Sequence, residues 1–254
     1  WDELNAAAEK LKAAGIIPFA HGGQAWQDAT VFEAVAMGLG GNNYYKNCYV
    51  DLKESCLRSE TTVKVFDQMR KLQSYTDEGS PGRDWNVATG MVIEGKAGFQ
   101  IMGDWAKGEF TAAGKVPGVD YYCAATPSNN GYLYNVDSFI FYKSSDPDKQ
   151  AGQQLLAKLM MGKNFQKVFN LYKGSIPARL DVSMDEFDKC AKTSNADIKT
   201  AGAKGGLVPS FAHGMAQGNT MKAALQDIIT EHFNSDMSSV DAANALADSV
   251  LANM

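Results

Sequence analysis

The sequence predicts an α/β fold with largely parallel sheets, because short apolar segments of strand type are separated by amphipathic helical segments. The clearest strand segments are 16–20 and 97–102, each too short for a helix and each bounded by glycines. The clearest helical segment is 61–75, where apolar side chains recur at helical spacing. Strands that alternate with helices are typical of proteins in which helices cover the faces of a parallel sheet.

Helical spacing and the residues that begin and end helices predict the remaining elements in chain order. The first helix covers 2–14, with acidic residues in its first turn and Gly15 at its end. The segment 40–58 is rich in glycine, asparagine, tyrosine and cysteine, so we predict a loop there. Further predicted helices cover 25–38, 84–94, 104–113, 146–161, 163–172, 219–234 and 238–252, and further predicted strands cover 121–125 and 132–142. From 182 on we predict that the chain is almost all helix, interrupted at 202–211.

The size and composition exclude several classes of protein. The chain has 254 residues, enough for one large domain or two modest ones with a hydrophobic core. Hydrophobic residues make up 45% and charged residues 21%, which is ordinary for a soluble globular protein. The formal net charge is -5 and the basic residues are scattered singly, so we expect no nucleic-acid partner. No apolar run approaches the ~18 residues that a membrane-spanning helix needs.

The four cysteines leave two interpretations open. None of them lies in a CxxC motif or in a cysteine–histidine cluster with zinc-binding spacing. They are either free buried thiols of a cytosolic protein or the disulfide-bonded pairs of an exported one. Cys48 and Cys56 flank a short segment and could pair locally, and Cys123 and Cys190 would then close a long loop.

Most motifs of catalysis and cofactor binding are absent from the sequence. His21, His213 and His232 form no i, i+4 pair and no HExxH motif, so we expect no metal. The nucleophile-elbow, P-loop and dinucleotide-binding motifs are also absent, and we expect no cofactor. The 29 acidic residues leave a carboxylate pair for glycoside hydrolysis open, although no pair is marked by its context.

Three places combine aromatic or polar side chains with an unusual position. Trp105 follows a strand that ends at a glycine, and it either stacks on a sugar ring or fills a gap in the core. Asn135 and Asp137 share one face of a predicted strand among apolar residues, and they bond either to a ligand or to nearby backbone. Lys173 and His213 lie in loops that interrupt helices, either as binding residues or as a solvated lysine and a capping histidine.

Together these segments resemble one protein family along essentially the whole chain. Each motif is weak by itself, but their order and spacing are specific. The sequence resembles the type II periplasmic solute-binding proteins of carbohydrate ABC transporters (extracellular solute-binding protein family 1), in particular the glucose- and mannose-binding branch. The matching residues are 1–4, 7–11, 21–27, 82–86, 98–105, 134–139 and 173–179.

The resemblance implies two α/β lobes around a cleft, a helix-rich C-terminus, and a monosaccharide held between the lobes. On this branch a tryptophan at the place of Trp105 stacks on the sugar, and residues matching Asn135, Asp137, Lys173 and His213 hydrogen-bond its hydroxyls. The implied protein is not an enzyme. It is a monomeric receptor that delivers a glucose-like sugar, or else mannose or galactose, to the permease subunits of an importer.

The resemblance also implies a domain division and a cellular location. Residues 1–130 and 183–254 would form most of the second lobe, and residues 131–182 would form a returning part of the first lobe, whose first segment is absent from this chain. Export to the periplasm leads us to expect two disulfides, Cys48–Cys56 and Cys123–Cys190. Two other classes stay open, a glycoside-processing enzyme and a truncated lobe that binds nothing.

Overall fold

The structure is a computed structural model that describes residues 1–127 and 131–254 as helices and two pairs of short parallel strands. Strand β1 (Ile17–Phe19) pairs with β2 (Ala97–Phe99), and β3 (Tyr132–Tyr134) pairs with β4 (Leu207–Pro209). The α/β prediction is therefore confirmed. The helices are α1 (Asp2–Ala13), α2 (Ala25–Tyr45), α3 (Glu54–Leu57), α4 (Glu60–Gln73), α5 (Trp85–Ile93), α6 (Lys107–Ala112), α7 (Pro147–Met160), α8 (Lys163–Lys173), α9 (Lys189–Ala203), α10 (Asn219–Asn234) and α11 (Ser239–Ala252).

The chain divides into two compact units, which we call the large unit and the small unit. The large unit contains Trp1–Gly103, Ala124–Asn135 and Asp197–Met254, and the small unit contains Asp104–Cys123 and Val136–Ala196. The division into two lobes with boundaries near residues 130 and 183 stays a prediction. In the described part of the chain, no helix combines the length and the apolar character that crossing a membrane would require.

The core of the large unit is built around α2. Its residues 27–37 are all buried, because apolar side chains are spread around the helix and the buried carboxylates of Asp28 and Glu33 have hydrogen-bond partners inside the unit. Phe32 packs against Phe66 of α4 and against Phe211, with ring centroids 5.0 and 6.3 Å away. Burying each such ring stabilises the fold by about 1.5–3 kcal/mol, so this cluster supports the helix on which part of the candidate site is built.

The prediction of a loop over 40–58 is wrong. Helix α2 continues to Tyr45, a π-helical turn covers Lys46–Val50, and α3 follows. The glycines that suggested a loop mark only an interruption at Gly41, where φ is 73°. Helical structure prevails because Tyr45 and Tyr49 are fully buried and their rings pack on Phe211, 6.3 and 5.2 Å away.

The strands are shorter than the sequence predicts. Residues 121–125 form no strand apart from an isolated bridge between Pro117 and Tyr121, and the predicted strand 132–142 ends at Tyr134. Its partner β4 lies in the stretch 202–211, which the sequence marks only as an interruption between helices. Apolar alternation alone does not make a strand, since each backbone group also needs a partner strand beside it.

Both expected disulfides are present, so the prediction of two bonded pairs is confirmed. Cys48 and Cys56 are joined in the large unit, and Cys123 and Cys190 are joined in the small unit. The second bond closes a loop of sequence separation 67, for which the chain-entropy account gives a stabilisation of about 4 kcal/mol.

The small unit exposes an unusual amount of apolar surface. Phe139 lies 6.4 Å from Phe169 between ring centroids, and both rings are accessible to solvent. Exposed apolar side chains in such number are typical of surfaces that contact another molecule, and we call these residues the apolar face of the small unit. Its other exposed large side chains include Ile140, Phe141, Tyr142, Leu155, Leu156, Leu159, Val168 and Tyr172.

Candidate ligand-binding site

Two strand ends lie side by side in the large unit and carry two of the five predicted site residues. Tyr134 is paired with Pro209, and the backbone N–H of Ser210 donates to the carbonyl oxygen of Tyr134 at 3.0 Å. Asn135 and the turn 210–213 therefore leave the sheet at the same edge. In open α/β sheets the carboxyl ends of parallel strands are where ligands bind, so the location of Asn135 and His213 fits a binding role.

His213 is held in place from within the large unit. Its Nδ1 atom lies 2.9 Å from Ser210 Oγ and 3.6 Å from Glu33 Oε1, and its side chain is 16% exposed. The indole ring of Trp26 meets the imidazole edge-on, with 6.0 Å between the ring centroids. The imidazole is therefore oriented by several contacts, as a binding side chain at a strand edge needs to be.

The turn after β1 is fixed by a second set of polar contacts. His21 Nε2 lies 2.6 Å from Asp28 Oδ1, and both side chains are buried. The indole N–H of Trp26 donates to Gln24 Oε1 at 2.9 Å, and Gln24 Nε2 donates to Asp84 Oδ1 at 2.6 Å. These bonds join the start of α2 to the start of α5 and fix the orientation of Trp26 beside His213.

Trp105 lies in the small unit, in a single 3-10 turn over Asp104–Ala106 that precedes α6. A Cβ atom on Gly174 would lie 2.7 Å from the backbone N of Gly108, and the φ angle of Gly174 is +89°. Only glycine fits this position, which allows the end of α8 to approach the start of α6 at backbone distance. The turn that carries Trp105 is thereby brought beside the segment that carries Lys173.

Lys173 and Asp137 form an ion pair in the small unit. The side chain of Lys173 is 28% exposed and that of Asp137 is 60% exposed, so the pair stays accessible to a ligand. Lys173 Nζ also lies 5.9 Å from the ring centroid of Phe169, on a side of α8 where Phe169 and Tyr172 are exposed. An ammonium paired with a carboxylate supplies donors and acceptors together, which suits a ligand rich in hydroxyls.

The partly buried carboxylate of Asp104 supports the turn that carries Trp105. Ser175 Oγ donates to Asp104 Oδ1 at 2.9 Å. Burial raises the pKa of the Asp104 carboxyl, while the hydrogen bond from Ser175 and the positive charges of Lys107 and Lys173 act in the opposite direction. The bond to Ser175 ties the 3-10 turn to the loop that follows α8.

The structure thus associates the predicted site residues within each unit. It pairs Asp137 with Lys173 and brings Asn135 to the same sheet edge as the turn of His213. It also shows Glu33, which the sequence analysis did not select. Glu33 is the one polar residue in the apolar run 31–37, and this was the available signal, because a carboxylate there needs buried donors.

Comparison with known proteins identifies the class of protein to which these units belong. Residues 1–160 match the bacterial extracellular solute-binding proteins, and the chain belongs to this family. A solved chitin oligosaccharide binding protein has the same fold, with a TM-score of 0.76 at 17% identity over 98% of this chain and 63% of that chain. The type II binding-protein fold expected from the resemblance is therefore confirmed.

Individual relatives place the chain more closely. A probable sugar-binding periplasmic protein of Brucella suis is 48% identical over 251 residues, which cover 98% of this chain and 59% of that protein. A protein of the same description from Rhizobium meliloti is 46% identical over 251 residues, covering 98% of this chain and 60% of that protein. The chain therefore spans about three fifths of the length of the curated relatives it matches. Each of these descriptions names a binding protein and none names an enzyme.

Proposed function

We propose that this chain is the substrate-binding receptor of an ABC sugar importer, and that it binds a neutral monosaccharide in the periplasm and presents it to the permease subunits. The proposed ligand is glucose-like, and mannose and galactose are the related alternatives. The observation that carries the proposal is the accessible ion pair between Asp137 and Lys173. Gly174, which follows Lys173 in the chain, packs against the turn that carries Trp105. The descriptions of the Brucella and Rhizobium relatives support it.

The proposed contacts match the chemistry of a neutral sugar. A monosaccharide offers hydroxyl groups that both donate and accept, and ring faces lined by C–H groups. Asp137 accepts, Lys173 donates, and Asn135 does both through its amide. The indole of Trp105 stacks on an apolar ring face, and His213 supplies one further hydrogen bond. The five residues therefore cover the two kinds of surface that a sugar presents.

Binding without catalysis is the form of activity that we propose. The family match and the relatives support it, since they describe proteins that bind a solute. A glycoside-processing enzyme would release product from an oligosaccharide, whereas the proposed receptor leaves its ligand unchanged. Incubation with glucose-containing oligosaccharides, followed by chromatography, therefore gives no product if the proposal holds.

We also propose that the apolar face of the small unit is covered in the working receptor by polypeptide corresponding to the part of the relatives that this chain does not match. Two observations support this proposal. The matched segment is 59% of the Brucella protein, and large apolar side chains such as Ile140 and Tyr142 are 80% and 84% exposed. The receptor's contacts with its sugar and with its permease then include groups beyond those described above.

Ligand-observed NMR together with calorimetry tests the proposed contacts, because saturation transfer detects weak, rapidly exchanging binding and calorimetry detects tight binding. We expect transfer from the 254-residue chain to glucose at millimolar concentration, and a large loss of transfer in Asp137→Ala. The matched control is Asp181→Ala, which breaks similarly accessible ion pairs with Arg179 and Lys163 in the same unit. Absence of transfer from the unaltered chain, or equal transfer from both variants, would refute the assignment.

A further inference from the structure

A polar network inside the large unit is centred on Glu33, a carboxylate that is 3% exposed in the middle of α2. It accepts hydrogen bonds from Ser210 Oγ at 2.7 Å and from the backbone N–H groups of Phe211 and Ala212 at 3.1 and 3.3 Å. The hydroxyl of Tyr45 lies 3.0 Å from the same carboxylate. Such a set of donors compensates an ionised carboxylate for the water it has lost.

The direction of these bonds follows from the number of hydrogens available. The hydroxyl of Ser210 has one hydrogen, and its oxygen lies near Glu33 Oε1 at 2.7 Å, His213 Nδ1 at 2.9 Å and the His213 backbone N at 3.1 Å. An ionised carboxylate can only accept, so the hydroxyl hydrogen points to Glu33. Ser210 Oγ is then an acceptor on the side of His213.

The consequence is a defined tautomer of His213. A Ser210 oxygen that accepts requires a hydrogen on Nδ1 of the imidazole, since Nδ1 is the ring atom that faces it. A neutral imidazole carries only one hydrogen, so Nε2 keeps a lone pair and accepts. If Glu33 were protonated instead, the whole chain of bonds would run in the opposite direction and Nε2 would donate.

We propose that Glu33 and Ser210 are positioning residues that hold His213 in its Nδ1–H tautomer, so that Nε2 accepts a hydrogen bond from a hydroxyl of the ligand. This inference rests on the proposed function, in which His213 contacts a sugar. It adds a rule of specificity, because the ligand must bring a hydrogen to this position. A free sugar hydroxyl meets that requirement, whereas the same oxygen as an ether or an O-methyl group does not.

Trp26 supports the arrangement from the other side of the imidazole. Its ring meets His213 at an interplanar angle of 70°, and its own N–H is engaged by Gln24 at 2.9 Å. A ring flip of His213 would exchange a nitrogen for a carbon opposite Ser210 and lose the bond to its hydroxyl. The two contacts together favour one orientation of the imidazole.

Nitrogen NMR of the folded chain, labelled with 15N-histidine, reads the tautomer directly and needs no ligand. We expect a protonated Nδ1 and an unprotonated Nε2 for the uncharged imidazole of His213, with its signals assigned by their loss in His213→Asn. Ser210→Ala removes the bridging hydroxyl, so the Nε2–H form should become populated. Ser210→Thr restores the hydroxyl and should restore the tautomer.

Two further variants test the origin of the effect. Glu33→Gln places an amide that can donate to Ser210, so it should favour the Nε2–H form. Tyr45→Phe removes one bond to Glu33 without touching Ser210, and it should leave the tautomer unchanged. If Glu33→Gln does not fold, the comparison of Ser210→Ala with Ser210→Thr still tests whether Ser210 sets the tautomer of His213. An Nε2–H tautomer in the unaltered chain, or no change in Ser210→Ala, would overturn the inference.

Addition of glucose at millimolar concentration then separates this inference from the proposed function. A shift of the His213 Nε2 resonance supports the hydrogen bond from the ligand. If His213 has the expected tautomer but no sugar shifts its Nε2 resonance, the proposed ligand contact is wrong. The hydrogen bonds among Glu33, Ser210 and His213 would still stand. Loss of the shift for a sugar methylated at each hydroxyl in turn identifies the position that donates.

Discussion

The stability of the large unit should depend on pH through His232, which is fully buried in α10. Within the described residues, neither of its ring nitrogens has a hydrogen-bond partner, and its ring lies 4.7 Å from that of Phe66. Burial lowers the pKa of His232 to about 4, the charge of Arg70 adds to this effect, and the charge of Asp67 opposes it. Replacement by phenylalanine keeps an apolar ring in place and removes the titration.

The size of the effect follows from proton linkage. The folded pKa of about 4 lies below the ordinary value of 6.5, so the unfolded chain binds the proton more readily. The contribution is complete above pH 6.5 and is lost as the pH falls toward 4. Over the whole range the loss amounts to about 3 kcal/mol, of which about 2 kcal/mol falls between pH 7 and pH 5.

Urea unfolding of the unaltered chain and of His232→Phe, at pH 7, 6 and 5, measures this contribution. Carboxylates titrate in both proteins and cancel in the comparison. We expect the unaltered chain to lose about 2 kcal/mol more than the variant between pH 7 and pH 5. If the free energies of unfolding of the two proteins fell in parallel, the pKa of His232 would not be lowered in the folded state, and the reasoning would be wrong.

Three further predictions concern the proposed sugar contacts and the disulfides. Trp105→Ala should weaken sugar binding by about 1–3 kcal/mol and reduce the sugar-dependent change in tryptophan emission, whereas unchanged binding would exclude stacking. Asp137→Ala should weaken binding more than Lys173→Ala in calorimetry, because water replaces an ammonium at an accessible edge more easily than it replaces a charged acceptor; the reverse order would contradict this assignment. Titration of the unfolded, unreduced protein should find almost no free thiol. Replacing both Cys123 and Cys190 by serine should lower the free energy of unfolding by about 4 kcal/mol. A change near zero would show that the bond does not stabilise the protein by restricting the long loop in the unfolded chain.

Local sequence signals predicted the helices well and the strands poorly. The helix predicted over 61–75 is found at Glu60–Gln73, and the helix predicted over 2–14 is found at Asp2–Ala13. Each depends on spacing and end residues within one segment, which the sequence contains in full. The segment 40–58 was misread because its glycines and asparagines favour a turn locally, whereas the buried rings of Tyr45 and Tyr49 decide its conformation through distant contacts.

The sequence by itself indicated the α/β class and, through the order and spacing of its motifs, the resemblance to the family; that resemblance in turn led to the two expected cysteine pairs. Tertiary structure alone decided which side chains meet. Tyr134 and Pro209 are 75 residues apart in the sequence, yet their pairing brings Asn135 to the turn of His213. Glu33 and Ser210 are separated by 177 residues, yet a bond of 2.7 Å joins them. No local pattern encodes such a contact, because it depends on strand register and helix packing, which arise only when distant segments bury their apolar faces together.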